Sequence, residues 1–126
     1  MENIKFRVWN KGTALHAPRM ISFEEALKTL TLTTLFGDKK SDRYEILLST
    51  GLFDKNGVEI YIGDIVTKWN AQGKNTKRLA EVCFKQGSLL AIENKGYPSE
   101  KMWNLWSMCK NFEVIGNIYE KQGAVR

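Results

Sequence analysis

Residues Thr50–Val66 read TGLFDKNGVEIYIGDIV, a stretch punctuated by Gly51, by Asp54-Lys55-Asn56-Gly57 and by Gly63-Asp64. It admits two readings: an acidic metal loop, or turns separated by a strand. Asn-Gly is the strongest short hairpin signal, because both central residues of a type I′ turn need positive φ. After it, Val58, Ile60 and Ile62 alternate with Glu59 and Tyr61, which puts the aliphatic side chains on one face. Gly63-Asp64 breaks the alternation, and Ile65–Trp69 resumes it as a new strand. A calcium loop needs oxygen ligands at alternating positions before its glycine and a glutamate near its end. Here Lys55 interrupts the ligands and Gly63 stands where more are required. The stretch is turn, strand, turn, strand.

Working outward, Tyr44–Ser49 (YEILLS) is a strand with an apolar centre that leads into the quoted segment, after a charged loop at 38–43. Downstream, 71–78 (AQGKNTKR) reads as a polar, basic loop. Leu79–Phe84 and Ser88–Glu93 form a hairpin around Lys85-Gln86-Gly87, with a connection of three or four residues. Asn94–Pro98 is a loop. Met102, Leu105, Trp106 and Cys109 follow helical spacing and predict a short helix or irregular structure, with Trp103 and Met108 off its apolar face. Phe112–Tyr119 is a last strand in which Gly116-Asn117 marks a bulge or bend.

At the other end, Ile4, Phe6 and Val8 alternate with Lys5, Arg7 and Trp9, a strand closed by a turn at Asn10-Lys11-Gly12. A short extended piece falls near Met20–Phe23. Ser22 and Glu25 fit a capping box that opens a helix of about two turns. The threonine-rich segment 31–36 is a poor continuation of it. The expected fold is mainly β: a small SH3-like or similar barrel at about 50–120, with an N-terminal α+β lobe containing one short helix. One domain spans 1–126, with possible lobes at 1–49 and 50–126.

The 126 residues are 43% hydrophobic and 26% charged, the composition of a globular chain. No apolar run reaches the roughly 20 residues that cross a bilayer, and MENIKFRVWN lacks the apolar centre of a secretory signal. A cytoplasmic location is expected. Cys83 and Cys109 read as free core thiols, and the lone His16 rules out a zinc site with histidine spacing. No cofactor or metal is expected.

For function, no Ser, Cys or His constellation supports nucleophilic catalysis, and Asp64 is better placed to bond nearby backbone N–H groups than to catalyse. The sequence predicts no enzyme. Net charge is +5 with an isoelectric point near 9.2, a mild excess that permits an acidic partner. Lys68, Lys74, Lys77 and Arg78 border one loop, and Lys39, Lys40 and Arg43 another; such groups neutralise phosphates. Trp69 and Tyr97, if exposed, offer stacking surfaces, against the plainer reading of Trp69 as core. Trp103 and Trp106, beside Met102 and Met108, form a candidate protein-interaction patch or else fill a core or an oligomer interface. Protein interaction is placed slightly ahead of nucleic-acid binding, with a homo-oligomer expected.

Three pieces, IKFRVWN, TGLFDKNGVEIYIGDIV and VIGNIYE, resemble the YopX protein family in order and spacing. The family pattern for the central piece carries a lysine at the position of Phe53 and a glutamate at that of Ile62. Lys121-Gln122-Gly123 also departs from its closing pattern. The resemblance implies a mainly β fold and a phage or prophage accessory protein acting in the host bacterial cytoplasm. It implies no mechanism and no agreed functional residues.

Overall fold

The structure is a computed structural model that describes residues 5–29 and 44–120. Ile4, the threonine-rich segment 31–36, the charged loop with Lys39, Lys40 and Arg43, and Lys121-Gln122-Gly123 lie outside the described residues. The chain divides into two compact units at Ser49/Thr50.

In the first unit, β1 (Phe6–Asn10) is the middle strand. It pairs antiparallel with β2 (Arg19–Ile21) through Val8↔Ile21, and with the first half of β3 (Tyr44–Phe53) through Val8↔Ile46. Ser22 starts α1 (Phe23–Thr29) by accepting the Glu25 N–H on Oγ at 3.2 Å, which satisfies one of the donors a helix start leaves open. Glu25's carboxylate reaches Arg19. Val8, Ile21 and Ala26 form the buried cluster, flanked by Phe6, Tyr44 and Ile46. The Phe6 and Phe23 rings meet edge to face at 5.1 Å.

The second unit begins with the rest of β3 and β4 (Glu59–Tyr61). It continues with β5 (Asp64–Trp69), β6 (Asn75–Lys85), β7 (Ser88–Glu93) and β8 (Lys101–Asn104). A helical corner follows, α2 (Leu105–Met108) and a 3₁₀ turn (Cys109–Asn111), and then β9 (Phe112–Asn117). The last five strands form an antiparallel sheet ordered β8-β7-β6-β5-β9. Val66, Ala80, Val82 and Ala91 form a buried core with Ile60, Leu105, Cys109 and Phe112, and Leu52, Ile62, Trp103 and Val114 pack against it. Burying one such branched or aromatic side chain contributes roughly 1.5–3 kcal/mol.

The sheet curls into a half-barrel. Strands β5 and β8 are separated by two others, about 14 Å in a flat sheet, yet Lys68 Nζ of β5 lies 5.0 Å from the Trp103 ring centroid of β8. The closeness of these two inner-face side chains fits that curl. The mainly β expectation is correct, and the barrel is open rather than closed.

Several local expectations are corrected. Asn56-Gly57 does not form a type I′ turn: Gly57 lies at φ +80° but Asn56 does not have positive φ. Instead the Gly57 N–H closes a four-residue turn onto the Asp54 carbonyl at 3.0 Å. The two positive-φ residues of a type I′ hairpin occur at Gln86-Gly87 (54° and 79°), between the paired Lys85 and Ser88. That connection is two residues, shorter than expected. β3 runs on through Gly51 to Phe53.

Met102 and Trp103 belong to β8, opposite Ile92 and Ala91, so the helix is restricted to Leu105–Met108. Asn104 caps it by accepting the Ser107 N–H at 3.1 Å. Of the expected apolar face, Leu105 and Cys109 are buried while Trp106 is turned outward. Strand pairing prevailed over helical spacing because Trp103 completes the inner face of the sheet. The 71–78 loop is also shorter: β6 already starts at Asn75, and Lys77 and Arg78 lie in a bulged strand.

Candidate functional site

The two aspartates of the central motif are structural. Asp54 is 1% exposed. Its Oδ1 accepts the N–H groups of Asn56 at 2.8 Å and Val58 at 2.9 Å, and its Oδ2 accepts that of Val114 at 2.8 Å. One carboxylate thus closes its own turn and fastens it to β9, an edge strand. The Lys55 N–H adds a bond to the Phe112 carbonyl at 3.0 Å. An open strand edge is a template for unwanted pairing, and here the turn occupies part of it.

Asp64, equally buried, accepts the Tyr61 N–H on Oδ2 at 2.8 Å. Between them Gly63, at φ +94°, donates to the Val82 carbonyl and accepts from Ile118. A Cβ there would lie 2.9 Å from the Tyr119 ring. Among the described residues no group of three or more His, Cys, Asp or Glu side chains is arranged to hold a metal ion. Burial pushes the Cys83 thiol up from its ordinary pKa, against the opposing pull of the Lys95 ammonium, which disfavours the nucleophilic thiolate. The Lys95 ammonium is itself held above its usual range by its hydrogen bond to Glu81.

The anchored turn delivers two side chains to the end of β5. Lys55 Nζ stands 4.2 Å from the Trp69 ring centroid, inside the range of a cation–π contact. The Trp69 indole N–H donates to Glu113 Oε1 at 3.0 Å, and Asn56 Nδ2 donates to Glu113 Oε2 at 3.4 Å. The ring is therefore fixed along its edge by β9, with a flexible ammonium over its face.

Opposite Trp69 the hairpin is irregular. Thr67 pairs with Leu79 and Trp69 with Asn75, so Lys68 alone faces Thr76, Lys77 and Arg78. Lys77 takes φ +62°, a conformation uncommon for a residue with a long side chain. Asn75 Oδ1 accepts the Lys77 N–H at 2.7 Å and the Thr67 hydroxyl at 2.8 Å. The Thr76 hydroxyl donates to the Lys68 carbonyl at 2.8 Å. These side chains replace ladder bonds that the bulge removes. In the connecting loop, Asn70 Oδ1 accepts the Gln72 and Lys74 N–H groups.

The four basic residues singled out by sequence thus share one end of the β5–β6 hairpin, in unlike settings. Lys74 and Lys77 are exposed. Lys68 lies over Trp103 on the inner face, whereas its neighbour Trp69, with Lys55, is on the outer face. Arg78 NH1 stands 3.9 Å from Glu93 Oε1, a buried oxygen with no hydrogen-bond partner. The sequence does not single out Lys55: there it only interrupts an acidic loop, and its spacing from Trp69 gives no local signal.

The paired tryptophans are separated by role. Trp103 packs against the core, while Trp106 is 74% exposed. Tyr97 is exposed on the loop after β7, where Lys95 bridges to Glu81 at 3.1 Å and Lys85 stands 3.8 Å from Glu100. In the first unit, a hollow beside 10–19 is lined by His16 and Arg19 among others. Arg19 is engaged there by Glu25, and this pairing lowers the Glu25 carboxyl below its ordinary range.

A family model described as YopX protein matches residues 5–123. No curated protein matches the chain. Among solved structures, protein EF1440 from Enterococcus faecalis is similar in fold: TM-score 0.51 and 20% identity, covering 98% of this chain and 99% of that one.

Proposed function

The chain belongs to the YopX protein family, and from that premise we propose that it is a non-enzymatic macromolecule-binding module whose contact surface is the basic end of the β5–β6 hairpin. The observation that carries this is the bulge that holds Lys77 at φ +62° beside exposed Lys74, with Lys55 and Lys68 at the adjoining end of β5. A non-glycine residue in that conformation costs folding free energy and persists where the surrounding structure enforces it. Asp54 and Asp64 are committed to backbone N–H groups, which supports binding rather than catalysis. The ligand such a surface favours is a polyanion, and nucleic acid is the partner of this reading. Relative to the sequence, the weight moves away from a two-tryptophan protein patch because Trp103 packs against the core.

In this reading the protein is a phage or prophage accessory factor working in a bacterial cytoplasm. The family resemblance supports that origin, and among the described residues no helix is long and apolar enough to cross a membrane. The test is binding of labelled oligonucleotides at about 50 and 200 mM salt. Wild-type protein should bind at low salt and weaken steeply at high salt, and Lys74→Glu with Lys77→Glu should abolish binding while leaving the circular dichroism unchanged. Affinity untouched by the double reversal sinks the proposal.

A second reading, protein contact that includes self-association, rests on Trp106, the most exposed tryptophan among the described residues. Sedimentation velocity decides its homo-oligomer form: association lost in Trp106→Ala supports it, and a wild-type monomer at every concentration removes it.

A further inference from the structure

We infer that Trp69 is a stacking platform for an unpaired base, with Lys55 as the displaceable cation over it, so that the partner is single-stranded rather than duplex nucleic acid. The inference rests on the binding surface proposed above and identifies its ligand class. It begins from how the indole is held. Its N–H is bound at the edge by Glu113 Oε1, and Glu113 is bound in turn by Asn56. The ring plane is therefore fixed by contacts at its edge. One face meets the ammonium of Lys55 at 4.2 Å from the centroid. Trp69 is half-buried and Lys55 exposed.

A lysine on an aromatic face is held weakly, by about 0.5–1 kcal/mol at an exposed site. Base–aromatic stacking, at about 1–3 kcal/mol per base, is stronger. A base arriving on the ring displaces the ammonium, which keeps its charge and moves to the phosphate that accompanies the base. The exchange leaves no cation unpaired. Duplex bases are stacked on each other and present no free face, so the arrangement discriminates against them. Lys74 and Lys77, at the same end of the hairpin, carry the backbone of the strand beyond the stacked base.

Trp103 does not share this role. Lys68 also covers its ring, but that pair lies on the inner face of the curled sheet and Trp103 packs against the core.

The experiment uses the full chain with a 12-residue oligothymidine and a 12-base-pair duplex as probes. Affinity is read by anisotropy of the labelled probe and stacking by tryptophan emission. The expected result is tighter binding of the single strand, with quenching that persists in Trp106→Phe and is lost in Trp69→Phe. Trp69→Leu should weaken single-strand binding about tenfold or more and leave duplex binding unchanged. Lys55→Ala should lower the salt slope by about one ion while the quench remains. If Trp69→Leu fails to fold, quenching in the Trp106→Phe protein still decides the matter, since its loss there moves the stack to Trp106 and overturns the inference. Equal, salt-dependent binding of both probes without quenching also overturns it and leaves the basic surface standing. No binding of either probe at low salt overturns the basic surface itself.

Discussion

The Asp54–Gly57 turn and the Asn70–Arg78 end of the β5–β6 hairpin both reverse the chain with polar residues, and they use them in opposite ways. In the first, a buried carboxylate serves three backbone N–H groups and the glycine sits where positive φ is needed. In the second, Gly73 takes φ +78°, yet a further left-handed position falls on Lys77, and the adjacent lysines face solvent. Local chemistry and backbone agree in one region and conflict in the other. Consistency across levels is the mark of a structural element, and conflict that survives is the mark of a site. The two are also joined, since the first turn delivers Lys55 to Trp69.

The largest effect should come from Asp54→Ala. It leaves three N–H groups, those of Asn56, Val58 and Val114, without the acceptor they share. Each such loss costs about 1–3 kcal/mol, so a destabilisation of at least about 3 kcal/mol is expected, read as a lower urea midpoint. Asp54→Asn should cost less, because the amide oxygen still serves Asn56 and Val58 while its NH₂ opposes the Val114 N–H. Equal losses for the two variants would show that the Oδ1 bonds within the turn contribute nothing and that the bond to β9 carries the whole effect.

Gly63→Ala sets a smaller scale for the cost of a wrong residue at positive φ. It adds strain at φ +94° and a Cβ 2.9 Å from Tyr119 Cε2, for an expected loss of about 1–3 kcal/mol. The loss should be partly relieved when Tyr119 is also changed to Ala, because the second change removes the contact and leaves the backbone strain. Full relief would mean that φ carries no penalty here. That result would remove the argument applied to Lys77.

At the hairpin, Arg78→Ala should destabilise by about 1 kcal/mol, since it leaves the buried Glu93 Oε1 without its nearby cation. Lys74→Ala should stay within about 0.5 kcal/mol. Thermal unfolding of the two variants separates the arginine, which supports the sheet, from the lysine beside it. Matching stabilities would make Arg78 as available to a ligand as Lys74.

How much of this was legible in the sequence follows from the range of each interaction. Val58–Ile62, Ile65–Trp69 and Ser22-Glu25 declare themselves by period or by a capping pair, because the determining contacts lie within a few residues. The Asn56-Gly57 turn was located but given the wrong geometry, since Asp54 bonds Val114 across 60 positions and nothing local announces that. The Met102–Cys109 segment misled for a related reason. Its spacing is helical, but Trp103 is claimed by Ala91 of the neighbouring strand. Lys74 and Lys77 were visible as charge. Lys55 was not, because its role depends on a tryptophan 14 residues on, brought beneath it by β5. Glu113, which fixes that ring, lies 44 residues beyond Trp69.

A small gain in stability carries the sharpest information about the comparison. Lys77→Gly relieves a left-handed position at φ +62° at the cost of more chain entropy in the unfolded state. The Asn75 Oδ1 that accepts the residue-77 N–H is unchanged by the substitution. A net gain from a few tenths to about 1 kcal/mol is expected, measured by urea unfolding. Oligonucleotide affinity should fall, with a salt slope smaller by about one ion. A protein made more stable and less able to bind by one substitution has its strain located at its site. If Lys77→Gly gains stability with affinity and slope intact, the bulge is merely a tolerated irregularity, and the hairpin end differs from the Asp54 turn in chemistry but not in purpose.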